Sequence, residues 1–142
     1  MGIVQGIFGN LTEVSVSELE KEFGDYLMPN EKIQMGFKLV RDVVLLTTIR
    51  LIEFNKKEIT GKKMEMRFRF LTDIVNVRCE TAGFCLDDSE LYISYITSPY
   101  HRANDVEVAT VHYEFPRKYD IKPFFQKLQS YVYDNHKRLN LG

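Results

Sequence analysis

The stretch from Glu58 to Asp88, EITGKKMEMRFRFLTDIVNVRCETAGFCLDD, narrows the possible folds more than any other part of the chain. It opens on Ile59-Thr60-Gly61-Lys62, where the glycine can take the positive φ of a tight reversal. Strict alternation follows. Met64, Met66, Phe68 and Phe70 fall on one strand face, and Lys63, Glu65, Arg67 and Arg69 on the other. A second strand carries Val75, Val77 and Cys79 on one face and ends at Thr81-Ala82-Gly83. Two strands with one dry face each cannot bury it alone, so the pattern demands a larger antiparallel sheet around them.

With 142 residues, 44% of them apolar, the chain has the size and the hydrophobic content of a single domain. A net charge of −1 gives no global basic field, which argues against nucleic acid or an anionic membrane as a general partner. There is no secretory-signal pattern, so Cys79 and Cys85 are expected as reduced thiols in a cytoplasmic protein, with a hairpin disulfide the less favoured alternative. No apolar run is long enough to span a bilayer.

At the start of the chain Ile3, Val4, Ile7, Phe8 and Leu11 recur at helical spacing, among glycines that make a helix stable only when packed on something. Gly6 stands where a myristoylation motif needs Ser or Thr, so the segment reads as a packing element or subunit contact. Ser15 with Glu18, or Ser17 with Glu20, fits a capping box for a second helix that runs to about Leu27 and stops at Pro29-Asn30. The period then changes to two. Ile33, Met35, Phe37 and Leu39 form one face of a strand, a turn follows at Arg41-Asp42, and further strands occupy Val43 to Thr48 and Ile49 to Phe54. After the central stretch, Glu90 to Thr97 alternates Leu91, Ile93 and Tyr95 against Tyr92, Ser94 and Ile96. A polar loop from Ser98 to Asp105 leads to a last strand, Val106 to Phe115. Asp120 then caps a closing helix with an apolar stripe of Ile121, Phe124, Phe125, Leu128, Tyr131 and Val132.

The order is two short helices, about seven short strands in meander succession and one amphipathic helix, an α+β chain that is mainly β. A twisted antiparallel sheet of that size curls, and the terminal helix suits its open end; the result is a pleckstrin-homology-like (PH-like), partly open barrel. Specific residues carry a closer likeness. Lys38-Leu39-Val40-Arg41-Asp42, Leu46-Thr47 with Arg50-Leu51-Ile52, Ile59-Thr60-Gly61-Lys62-Lys63 and Glu80-Thr81-Ala82-Gly83 resemble, in order and spacing, the bacterial PH-domain family. Departures occur at Thr48-Ile49, at Glu58, from Arg67 to Leu71 and in the longer loop from Ser98 to Asp105. The resemblance implies a PH-like barrel whose members tend to assemble as ring-shaped homo-oligomers, and it implies no established reaction or ligand. Residues 1–30 read as a helical extension and 31–142 as the PH-like domain, a non-catalytic interaction module.

Functional candidates are few. Lys56, Lys57, Lys62 and Lys63 concentrate charge at one hairpin, and Arg67 and Arg69 extend it along a strand; an anionic lipid headgroup or acidic partner bound there is the alternative to a scaffold. The plainer explanation is a solvated strand edge kept from aggregating by its lysines. Phe68 and Phe70 alternate with those arginines and so read as core residues, not as a nucleic-acid stacking platform. Cys79 with His112 is the one conceivable nucleophile and base, and no spacing supports it. Asp87, Asp88 and Glu90 lack the ligand spacing of a calcium loop. No catalytic residue, metal site or cofactor is expected, and the partner expected first is another copy of the chain.

Overall fold

A computed structural model of the chain describes residues 15–39, 42–56, 63–80, 88–116 and 120–141. The leading apolar segment, the Arg41 turn, the Ile59-Thr60-Gly61-Lys62 turn and the Thr81-Ala82-Gly83 corner lie outside them. The chain divides into two compact units, Met1–Arg69 and Phe70–Gly142, the break falling at the end of the fourth strand.

In the first unit, helix α1 (Val16–Phe23) starts at Ser15, whose Oγ accepts the Glu18 N–H at 3.3 Å. Of the two capping patterns in the sequence, the one at Ser15 supplies the cap. A single 3-10 turn, Gly24–Tyr26, follows, and Asn30 reverses the chain at φ 66°, a left-handed conformation that asparagine tolerates. Strands β1 (Ile33–Lys38), β2 (Asp42–Thr47), β3 (Arg50–Lys56) and β4 (Met64–Phe70) then form a four-stranded sheet in meander order. Leu19 and Phe23 of α1 pack on Ile33, Val43, Leu45, Ile52 and Phe54, with Met64 and Met66 at the margin. The rings of Phe23 and Phe54 stack at 4.3 Å.

The strand periodicity breaks within β1. Ile33 pairs with Thr47 and Met35 with Leu46, so the register slips between them. An extra residue moves the following side chains to the other face of a sheet. Ile33 therefore joins the helix-side cluster while Met35 and Phe37, expected on its face, are buried on the opposite one. Gly36 now faces the helix, and a Cβ there would lie 2.4 Å from Leu19 Cδ1 and 2.8 Å from Leu45 Cδ2. The glycine lets α1 approach the sheet closely.

Two buried charges hold the turn after α1 to the β2–β3 connection. Arg50 Nε donates to Glu31 Oε2 at 2.9 Å and its Nη2 to Oε1 at 2.7 Å. Thr47 Oγ1 donates to Oε2 at 2.5 Å, and the Met28 N–H reaches Oε1 at 2.9 Å. Burial alone would raise the Glu31 carboxyl; the bonds from Arg50, Thr47 and Met28, with the Arg50 charge, outweigh it and hold the group below its ordinary value. Arg50 also donates to the Tyr26 carbonyl and lies under the Phe68 ring, 4.5 Å from its centroid.

In the second unit, β5 (Ile74–Glu80), β6 (Ser89–Ile96) and β7 (Val108–Phe115) make a three-stranded antiparallel sheet. Leu91, Ile93, Tyr113 and Phe115 are buried on one face, together with Phe124 and Leu128 of helix α2 (Lys122–Leu141). Asp120 Oδ1 accepts the Lys122 N–H at 3.1 Å, at the start of this helix. Its far half is anchored by polar groups. Asn135, buried, donates to the carbonyls of Leu71 and Ile74 at 2.8 Å each, and Arg138 donates to that of Thr72. Among the described residues no helix is long and apolar enough to cross a membrane.

Two outcomes follow for the first unit. Gly36→Ala forces Leu19 and Leu45 apart and costs about 1–3 kcal/mol in urea denaturation; an unchanged midpoint would mean that α1 does not rest on this glycine. Glu31→Gln leaves Arg50 buried without its counter-charge and costs about 3–5 kcal/mol at neutral pH. Because folding depresses this carboxyl, its contribution is present above the ordinary glutamate range and is lost as pH falls through the folded value. The gap between wild type and variant therefore narrows on acidification, and a gap constant with pH would refute the linkage.

Candidate functional site

Four members of the basic set lie among the described residues, and their exposure differs. Lys56 at the end of β3 and Lys63 before β4 are exposed, while Lys57 and Lys62 lie outside the described residues. Arg67 is exposed but paired with Glu65 at 3.2 Å. Arg69 is buried, at 7% exposure, where alternation placed it on the wet face. Phe68 and Phe70, expected in the core, are 46% and 41% exposed. The reason lies in Arg50: the ring of Phe68 covers a guanidinium, and a residue covering a charge keeps its other face to solvent. Ile3, Val4, Ile7, Phe8 and Leu11 lie outside the described residues.

A denser array of polar groups stands on the outer face of the three-stranded sheet. Register sets it in rows. Glu80 pairs with Glu90 and Glu90 with Glu114, so that carboxylates from β5, β6 and β7 stand abreast. In the next row Arg78 pairs with Tyr92 and Tyr92 with His112. The Arg78 guanidinium lies 3.8 Å from the Tyr92 ring centroid, and the Tyr92 and His112 rings stack at 4.4 Å with 9° between their planes. Arg78 Nη1 also bonds Glu80 at 3.1 Å, and His112 Nε2 lies 2.8 Å from Glu90 Oε1. Desolvation, then the charges of Glu90 and Glu80, push the Tyr92 phenol above its ordinary value, so it stays neutral and able to donate. One ligand atom each from Glu90, His112 and Glu114 lies within 4.8 Å of the other two.

Acid–base and nucleophilic groups are kept apart. Cys79 pairs with Leu91 on the inner face, whereas His112 pairs with Tyr92 on the outer face. The sheet separates them. Burial pushes the Cys79 thiol up, away from the thiolate that a nucleophile needs. His101, in the loop after β6, bonds Asp73 through Nε2 at 2.7 Å, but its Nδ1 faces Arg138 Nη2 at 3.4 Å, where a triad would need a hydroxyl or thiol. Beside α2 a groove of about 350 Å³ is lined by Val75, Val77, Phe125, Val132, Tyr133 and His136 among others.

The sequence does not reveal Glu90, His112 and Glu114 as a cluster. Alternation sets Glu90 on the face of Tyr92 and Glu114 on that of His112, but only the β6–β7 register brings the two strands' groups together. No spacing of residues within either strand encodes it.

Residues 2–132 match the sequence profile of a family described as Bacterial PH domain. A Bacillus subtilis (strain 168) protein described as uncharacterized protein YjqA is 40% identical over 93 residues, which cover 66% of this chain and 74% of that protein. Among solved structures, a pleckstrin homology domain from Shewanella amazonensis SB2B is 30% identical with a TM-score of 0.63, covering 92% of this chain and 98% of that one. A DUF1696 family protein with a pleckstrin-homology domain from Shewanella loihica PV-4 is 26% identical with a TM-score of 0.65, over 85% and 96% of the two chains. A PH domain containing bacterial protein from Exiguobacterium sibiricum 255-15 shares the fold at 19% identity and a TM-score of 0.66, over 91% of this chain and 67% of that one.

Proposed function

Because this chain belongs to the bacterial PH domain family, we propose that it is a non-catalytic interaction module that assembles with copies of itself into a ring and serves as a scaffold or adaptor. The observation that carries this reading is the open edge of β7. This eight-residue strand pairs, among the described residues, with β6 alone, and Val108 at its start is 54% exposed. An end strand offers a row of backbone donors and acceptors to any chain that can complete it. Pairing with a different edge of the next copy repeats head to tail, and such a contact closes into a ring when its rotation permits. Ile3, Val4, Ile7, Phe8 and Leu11 are the proposed second contact between subunits, since that apolar series needs a surface to pack on. Among the described residues Cys79 and His112 stand on opposite faces of the sheet, and Arg138 stands beside His101 Nδ1. A cytoplasmic setting, with Cys79 as a free thiol, belongs to the same reading.

Peripheral binding of anionic lipid or an acidic ligand through Lys56, Lys57, Lys62 and Lys63 is the second reading, favoured by the exposure of Lys56 and Lys63. Of the arginines beyond that hairpin, Arg67 is exposed and paired with Glu65, and Arg69 is buried.

Size exclusion with light scattering on the full chain at tens of micromolar should give a mass that is a whole multiple of 16.7 kDa beyond the dimer. A monomer under those conditions overturns the ring. Co-sedimentation with phosphatidylserine vesicles should not change when the four lysines are reversed to glutamate; a clear drop would favour the lipid reading instead.

A further inference from the structure

We propose that Glu90, His112 and Glu114 form a binding site for a divalent first-row transition ion of the zinc class on the outer face of the β5–β6–β7 sheet. The donor set selects the ion. Two carboxylates alone would suit calcium or magnesium, but an imidazole nitrogen favours zinc and its neighbours. Zinc bonds to nitrogen and oxygen run at about 2.0–2.2 Å, which puts tetrahedral ligand atoms about 3.3–3.6 Å apart. The three ligand atoms already lie within 4.8 Å of one another, with His112 Nε2 and Glu90 Oε1 at 2.8 Å. Small rotations of exposed glutamate side chains cover the difference, and water fills the fourth position.

The histidine is held ready. Its ring is stacked on Tyr92, which is itself stacked on Arg78, so the orientation that turns Nε2 toward the carboxylates is fixed by two neighbouring strands. A metal-bound histidine gains affinity from such restraint. A carboxylate can only accept, so in the empty site Nε2 carries a proton shared with Glu90. Ion binding at Nε2 displaces that proton, to Nδ1 when the ring is neutral and to solvent when the ring is protonated on both nitrogens, and replaces the hydrogen bond by two metal–ligand bonds.

The sheet also supplies a reason for a cation at this place. Glu80, Glu90 and Glu114 stand directly opposite one another across three strands, an arrangement of like charges that weakens a sheet. Arg78 answers Glu80 and the His112 proton answers Glu90, while Glu114 makes no hydrogen bond or ion pair among the described residues. The other histidine–carboxylate pair is a useful contrast. At His101 and Asp73 the Arg138 guanidinium already stands beside the ring, so a second cation is repelled.

Zinc chloride titrated into the full chain, followed by calorimetry and by the shifts of the three histidine ring signals in NMR, tests the site. One ion should bind per chain, with the His112 signals moving first. Glu114→Gln, an exposed change that leaves the fold intact by circular dichroism, and His112→Asn should each weaken zinc about tenfold or more. His101→Asn, His136→Asn and the double change Cys79→Ser, Cys85→Ser should leave affinity unaltered. Absence of binding, affinity that survives both Glu114→Gln and His112→Asn, or affinity that disappears with the cysteines overturns the proposal. Where His112→Asn perturbs folding, Glu114→Gln alone decides.

Discussion

The Glu31–Arg50 pair governs the first unit, because it is the point at which the chain leaving α1 is tied to the sheet that α1 covers. Both side chains are almost fully withdrawn from water, at 0% and 4% exposure. Such a pair is stable only when nearly every donor and acceptor is occupied, since desolvation of two charges otherwise exceeds their attraction. Here both carboxylate oxygens and two guanidinium nitrogens are used, with Thr47, the Met28 N–H and the Tyr26 carbonyl completing the set. What this network secures is position. It places the turn after α1 over the β2–β3 connection, and Leu19 then meets Gly36 and Phe23 meets Phe54. The half-exposed Phe68 is a consequence of the same charge, which needs a cover that an aromatic face provides.

The second unit ties its helix down through backbone carbonyls and without a buried ion pair. Around the short 3-10 turn Leu71–Asp73, Asn135 of α2 donates to the carbonyls of Leu71 and Ile74, and Arg138 donates to that of Thr72. That anchors the far half of the helix, whose near half is held by Phe124 and Leu128. With one face of the sheet covered in this way, alternation sends every second residue of β5, β6 and β7 to the outside. Six of those residues form the two rows of the polar array, and the rigidity of the sheet is what keeps His112 turned toward two carboxylates.

Local periodicity made most of the fold legible. Alternation located β4, β5 and β6, the stripe from Ile121 to Val132 located α2, and Ser15 and Asp120 marked the beginnings of both helices. The order of motifs pointed to the PH-like family, and the match over residues 2–132 shows it. What periodicity missed has a common cause, which is that it assumes an unbroken pleat and solvent on one side. The slip between Ile33 and Met35 broke the first assumption and reversed the faces of β1. Arg50 broke the second, because a buried cation drew Phe68 out of the core role that its position in the pattern suggested. Glu31 finds Arg50 across nineteen residues of chain and Asn135 finds Leu71 across sixty-four, distances at which residue spacing carries no information. The Glu90, His112 and Glu114 array was hidden for the same reason: its members share a face only once β6 and β7 are in register.

The two proposed interactions, edge pairing and ion binding, would use different parts of strand β7. Its backbone edge offers N–H and C=O groups in the plane of the sheet, and its side chains stand perpendicular to that plane. A neighbouring copy that completes the edge engages the backbone; an ion at Glu114 and His112 engages side chains of the outer face. Neither needs an atom that the other uses. A reaction centre would need a nucleophile, a base and an orienting group converging on one point, but here the sheet sets Cys79 and His112 on opposite faces and Arg138 fills the place beside His101.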